Sequence, residues 1–155
     1  MEAWKNDRIS SALNGTNPTV LAKMKSGFAV FGDTQFLPGY CVLLGYPKVY
    51  SLNDLSLADR ATFLTDMSII GDAITAVLNP LRINYEILGN LDNYLHAHIF
   101  PRYEWEEEHL RKGPVYFYPP ENWRNPAAEQ RFDHSKFLGI RVKLQDKLCK
   151  LVASD

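Results

Sequence analysis

In the segment Leu95-His96-Ala97-His98-Ile99-Phe100-Pro101-Arg102, two histidines alternate with apolar residues. A period of two is the pattern of a half-buried strand, in which residues i and i+2 share a face. His96 and His98 therefore point the same way, their Cα atoms roughly 7 Å apart. Leu95, Ala97 and Ile99 face a core. A pair of imidazoles on one strand face suits three kinds of chemistry. They can ligate a metal, donate to a phosphate oxygen, or supply a neutral nucleophile near pH 7. Eight residues do not choose among these.

Composition narrows the setting. At 155 residues the chain is expected to be one domain, 1–155, large enough to bury a substantial core. A formal net charge of −1 gives no overall field that would hold nucleic acid or an anionic membrane surface. Cys41 and Cys149 have no metal-type spacing and make no disulfide framework. The first residues lack the basic-then-apolar pattern of a signal peptide, and no apolar run is expected to span a bilayer. The expectation is a soluble cytoplasmic protein that binds neither nucleic acid nor membrane.

The elements that must position the histidines are readable in outline. Residues 2–13 suit a short helix, stopped by Asn14-Gly15 and Pro18. Val20 to Phe31 reads as two strands turning at Lys25-Ser26-Gly27, and Tyr40 to Leu44 as a further strand. Ser56 to Asp59 looks like a helix N-cap. Phe63, Met67, Ile70, Ile74 and Val77 then form an apolar stripe on a helix of about six turns, ended by Asn79-Pro80. Ile83 to Leu88 and Leu95 to Pro101 read as a hairpin closed through a tight Gly89–Asn93 connection. Beyond Tyr103 come an acidic run, an extended aromatic and proline-rich stretch (Tyr116 to Pro120), and a last helix from about His134 to Val152. The class is α+β, with a mainly antiparallel sheet of about five strands, one long helix, an N-terminal helix and a C-terminal helical tail.

Three stretches, in order, resemble the histidine triad (HIT) family of nucleotide hydrolases and transferases. They are Phe31-Gly32-Asp33 running into Pro38-Gly39-Tyr40-Cys41-Val42-Leu43-Leu44, then Asn53-Asp54-Leu55, then Asn84 to Arg102 with Gly89-Asn90 and the His-Ala-His-Ile-Phe-Pro-Arg core. The resemblance covers roughly residues 20–103, leaving 104–155 as an extension. Counted back from Pro101-Arg102, His98 takes the third and His96 the second position of the family's three alternating histidines. The first position is Tyr94, and the histidine that usually follows the Pro-Gly turn is Tyr40. A register with His96 first misplaces Pro-Arg and Gly-Asn.

The resemblance implies attack by His96 on the α-phosphorus of a nucleotide, a nucleotidyl-histidine intermediate, and transfer to water or another acceptor. It implies that a backbone carbonyl holds the second nitrogen of His96, and that His98 donates to a phosphate or bridging oxygen. Asn90 and Asn84 are candidates for phosphate contacts, Asp33 for a ribose hydroxyl, and Arg102 for a phosphate or for pairing with Glu104. The hydroxyls of Tyr94 and Tyr40 are expected to replace the missing imidazoles as partners of His98. Phe28 and Phe31 could wall a base. No cofactor is required, although a divalent metal could accompany the nucleotide, and the family habit of pairing implies a homodimer.

Two other readings remain. One is a nucleotide-binding sensor that kept the pocket without turnover, motivated by the two tyrosines. The other is a metal-binding β protein using His96, His98 and a third ligand such as Glu86 or His109. The tail aromatics Trp105, Trp123 and Tyr116 to Tyr118 are expected to cover a sheet edge or a partner, and could shape substrate choice.

Overall fold

The computed structural model of the chain describes residues 2–155. Its centre is an antiparallel sheet of β1 (Val20–Met24), β2 (Gly27–Phe31), β3 (Cys41–Gly45), β4 (Arg82–Glu86) and β5 (His96–Arg102), in the order β1-β2-β3-β5-β4. The histidine strand β5 is thus interior, paired with β3 on one side and β4 on the other. His98 lies opposite Val42 in β3 and Glu86 in β4, and His96 lies opposite Leu44. Such an interior strand cannot slip by one residue without exchanging its two faces.

The two faces are covered by different material. Ala97 and Ile99, wholly buried, pack with Phe63, Ile70 and Ile74 of α2 (Leu57–Leu78) and with Leu144 and Leu148 of α4 (Ser135–Ser154). The extension is therefore no appendage, since α4 completes this core. α2 begins where Ser56 Oγ accepts from the Asp59 amide at 3.1 Å, and ends at Asn79 in the left-handed region. In length and composition α2 is apolar enough to cross a membrane, contrary to the expectation from sequence. Here it is a packed helix, and its buried Asp66 accepts from both the amide and hydroxyl of Ser26 in the β1–β2 turn, at 2.6 Å each.

Over the opposite face run α1 (Arg8–Leu13) and the segment 104–132, including α3 (Glu108–Lys112). The expected helix over 2–13 is split, because Asp7 caps a new start by accepting from the Ser10 amide. Tyr116 to Pro120 is not one extended run: 3-10 turns form at Val115–Phe117 and Pro120–Asn122. The expected tight connection before β5 is a longer loop over 87–95, in which Gly89 takes φ +78°.

One buried cluster attaches this covering segment to the sheet. Arg102, at the end of β5, forms a two-pronged ion pair with Glu106 rather than Glu104, the side chains being 3% and 0% exposed. Its remaining N–H groups donate to Asn84 Oδ1 and to the carbonyls of Leu110 and Gly113. Glu106 also accepts from the Tyr103 amide and the Tyr118 hydroxyl. Burial works against its charge, but these donors together hold the carboxyl below its usual range. A buried pair so fully satisfied is costly to break from one side. Glu106→Ala is expected to destabilise by about 3–5 kcal/mol in urea unfolding. It should also speed proteolysis within 104–124; an unchanged midpoint would contradict the role given to the cluster.

Candidate functional site

His96 and His98 meet on the sheet face under α1 and the tail, their ring centroids 4.9 Å apart and nearly perpendicular. His96 is buried, and its Nδ1 lies 2.7 Å from the backbone carbonyl of Tyr94. A carbonyl only accepts, so Nδ1 carries a proton and the neutral ring has its lone pair on Nε2. That is the arrangement of a nucleophile with its proton held out of the way.

His98 takes the opposite form. Its Nδ1 lies 2.6 Å from the Tyr40 hydroxyl. Burial, with the neighbouring His96 adding to it, pushes the His98 pKa down to about 4, so this ring is neutral at pH 7. Burial likewise raises Tyr40 well above the usual phenol range, so its proton stays. Among the described residues the Tyr40 hydroxyl has no other partner. A phenol O–H is a stronger donor than an imidazole N–H, and an imidazole nitrogen a stronger acceptor than a phenol oxygen. Tyr40 therefore donates to Nδ1, and His98 carries its proton on Nε2, where the N–H is a donor. Tyr40 is held for this by stacking on Phe100 at 4.2 Å, and Phe100 stacks in turn beside His98 at 5.8 Å.

Two cavities meet at this pair. One, of about 260 Å³, is lined by Arg8, Val30, Asp33, Thr34, Tyr94 and both histidines. The other, of about 670 Å³, is lined by Asn90, Asp92, Tyr116, Tyr118, Trp123 and Arg124 with the same histidines. Tyr40, Asp92 and Trp123 border both. Trp123 stands edge-on to Phe100 and Phe36 and stacks on Tyr116, which fixes the tail over the histidines.

The structure gathers some of the expected residues and separates others. Asn90 lines the larger cavity on the loop after Gly89. Asp33 lines the smaller, though its carboxylate is already paired with Arg8. Asn84 and Arg102 are engaged with each other and with Glu106, so neither turns to the cleft. Tyr40 meets His98 as expected. Tyr94 does not: it contributes its carbonyl to His96, while burial and Asp92 push its hydroxyl up to about 12. Phe31 is among the residues lining the smaller cavity while its wholly buried side chain packs in the core with α2; Phe28 lies against Tyr46 and lines neither cavity. Glu86 is half-buried opposite His98 and His109 is exposed on α3. Among the described residues no three His, Cys, Asp or Glu side chains are grouped to hold a metal ion. Of the tail aromatics considered for substrate choice, Tyr116, Tyr118 and Trp123 line the larger cavity, whereas Arg8, Asp92 and Arg124 join the site through the fold and carry no spacing signal that would have marked them.

No family model matches the sequence, and no curated protein matches it. Solved structures do match. A histidine triad protein from Marinobacter aquaeolei VT8 aligns over 85% of this chain and 89% of its own, with a TM-score of 0.69 at 19% identity. A hypothetical histidine triad nucleotide-binding protein from Sulfolobus tokodaii aligns over 93% of both chains, with a TM-score of 0.68 at 11% identity. A zinc-bound histidine triad family protein from Mycobacterium smegmatis covers 94% of both, with a TM-score of 0.57 at 14% identity. At such identities the likeness is one of fold: this α+β chain has the histidine triad fold. The match extends well beyond residues 20–103, the stretch that carries the motifs.

The opposed tautomers have a direct readout. Imidazole ¹⁵N spectra at pH 7 should show His96 protonated on Nδ1 and His98 on Nε2, and Tyr40→Phe should turn His98 into a mixture. Unfolded, His98 returns to about 6.5, so as pH falls the unfolded chain takes up the proton first. The stability its neutral form provides is complete above pH 6.5 and drains away between 6.5 and about 4. Urea midpoints across that window should fall, and fall less steeply in His98→Asn. Protonation of His98 near pH 6.5 in the folded protein would contradict the assignment.

Proposed function

We propose that this chain, built on the histidine triad fold, is a nucleotide hydrolase or nucleotidyl transferase with His96 as nucleophile. The observation that carries the reading is the partner of each Nδ1, the Tyr94 carbonyl at 2.7 Å from His96 and the Tyr40 hydroxyl at 2.6 Å from His98, which together direct a lone pair on His96 Nε2 and a proton on His98 Nε2 to the same cleft. Attack by His96 Nε2 on an α-phosphorus forms the N–P bond as the bond to the leaving oxygen or nitrogen breaks. The imidazolium so formed keeps its Nδ1–H on the Tyr94 carbonyl, whose dipole favours the positive charge. His98 Nε2–H hydrogen-bonds to the phosphate or to the departing atom, which takes the electron pair; a phosphate leaves as its anion, and an amine leaves with a proton drawn from solvent. Water or another acceptor then displaces His96 and regenerates the neutral ring. Phosphoryl-type transfer asks mainly for positioning and charge stabilisation, and these two rings supply both.

The two cavities divide the substrate at that phosphorus. The smaller receives the nucleoside that stays on His96, and the larger receives the leaving group. A divalent metal, where one takes part, would arrive with the substrate's phosphates. A homodimer fits the free outer edge of β4, where Leu81, Tyr85 and Leu88 are exposed. The two tyrosines favour one further reading: a nucleotide-binding sensor, in which the pocket fills and no bond is broken.

Incubation with a panel including diadenosine tetraphosphate and an adenosine phosphoramidate tests the proposal. The parent should release mononucleotide. His96→Ala should lose at least about 10³-fold in kcat while still binding nucleotide. Tyr40→Phe should lose about 10- to 100-fold, the value of one buried orienting hydrogen bond. Binding without release by the parent would favour the sensor, and neither binding nor release would overturn both readings.

A further inference from the structure

Asp33 lines the smaller cavity, and a carboxylate there has one oxygen to offer to each hydroxyl of a nucleoside's cis-diol. Those same oxygens are already taken. Arg8 Nη1 donates to Oδ1 at 2.9 Å and Nη2 to Oδ2 at 2.6 Å, a fork against a fork. Lys5 Nζ stands 3.7 Å from Oδ2 as a second cation.

The pair is built on both sides. The Arg8 guanidinium lies over the Trp4 ring at 5.0 Å, and Trp4 is set edge-on against Phe132, which is buried. α1, which carries Arg8, is capped by Asp7 and tied by Asn17 Nδ2 donating to the Arg8 carbonyl. Asp33 is fixed from the tail: its carbonyl accepts from the Phe132 amide at 3.1 Å, and Thr34 forms a bridge with Arg131. Burial of Arg8 disfavours its charge, but Asp33 outweighs this and leaves the guanidinium firmly protonated. Arg8 and Asp33 are also both lining residues of the smaller cavity, the one assigned above to the retained nucleoside.

We propose that Arg8 is a specificity-determining residue that occupies the sugar-reading edge of Asp33, so that this protein discriminates little between ribo- and 2′-deoxyribonucleotides. A cis-diol and a guanidinium present two parallel donors to a carboxylate and compete for the same two oxygens. The fork uses one lone pair on each oxygen, so a cis-diol that engages both oxygens end-on needs the same two sites and must displace it. What it gains is offset by what Arg8 loses. A free carboxylate would reward the 2′-hydroxyl by roughly 10- to 100-fold, the worth of one hydrogen bond to a charged group. The paired one does not. This rests on the nucleotide reading given above.

Competition binding of AMP and 2′-deoxy-AMP to the full chain, in the parent and in Arg8→Ala and Arg8→Gln, is the test. The parent should bind the two within about threefold. Either Arg8 variant should bind AMP at least about 10-fold better than 2′-deoxy-AMP, and adding Asp33→Asn should erase that gain. The parent's ratio stands whether or not a variant folds. Ribose preference of about 10-fold or more in the parent would overturn the proposal and leave the nucleotide reading intact. So would Arg8 variants that fold and show no new preference. If the parent binds neither nucleotide, the nucleotide reading fails and this inference fails with it.

Discussion

The strict alternation of β5 is the constraint on which the rest of the site depends. Ala97 and Ile99 are wholly buried beneath α2, and this obliges His96, His98, Phe100 and Arg102 to share the other face. Because β5 is flanked on both sides by antiparallel partners, its register is set by two ladders as well as by a core. Everything functional follows along that one line of side chains. His96 and His98 form the proposed reacting pair, Phe100 provides the ring on which Tyr40 stacks, and Arg102 anchors the segment over the cleft. A strand that buried its apolar face less completely could not hold two imidazoles in fixed positions against different partners.

Those states arise from the partner chosen for each Nδ1. A carbonyl on one ring and a protonated phenol on the other produce opposite tautomers without any charged group. A histidine in place of Tyr40 could itself take up a proton near neutrality, whereas a buried phenol does not titrate there. Tyrosine at this position therefore keeps the polarity of the Tyr40–His98 hydrogen bond fixed across the physiological range. Tyr94 illustrates the complementary case, since its backbone rather than its side chain serves His96, and a carbonyl is supplied by any residue.

How much of this was legible in the sequence follows from the range of the interactions. The α2 stripe, the β1–β2 turn and the shared face of His96 and His98 are set by local periods of 3.6 and 2, and the structure has them. The Tyr40–His98 bond joins residues 58 apart, with β3, α2 and β4 between them, yet is legible because an ordered motif places both residues. Arg8–Asp33 has no such pattern: its members are far apart and each belongs to an ordinary turn or cap. In sequence Arg102 reads as a phosphate ligand or as a partner of Glu104, the nearest carboxylate along the chain, and neither is what the structure shows. Its burial by Glu106 depends on the path of the tail. The 3-10 turns of 115–122 were missed for a related reason, since their aromatics are held by packing on Phe36 and Phe100 rather than by backbone preference.

The central claim is that the chemistry passes through His96 rather than by direct attack of water. The steric course at the α-phosphorus reads this most directly, using a substrate made chiral there by sulfur substitution and turned over in isotopically labelled water. Two in-line displacements, onto His96 and off it, predict overall retention of configuration. Inversion would mean a single displacement by water, and would contradict the account while leaving the fold untouched.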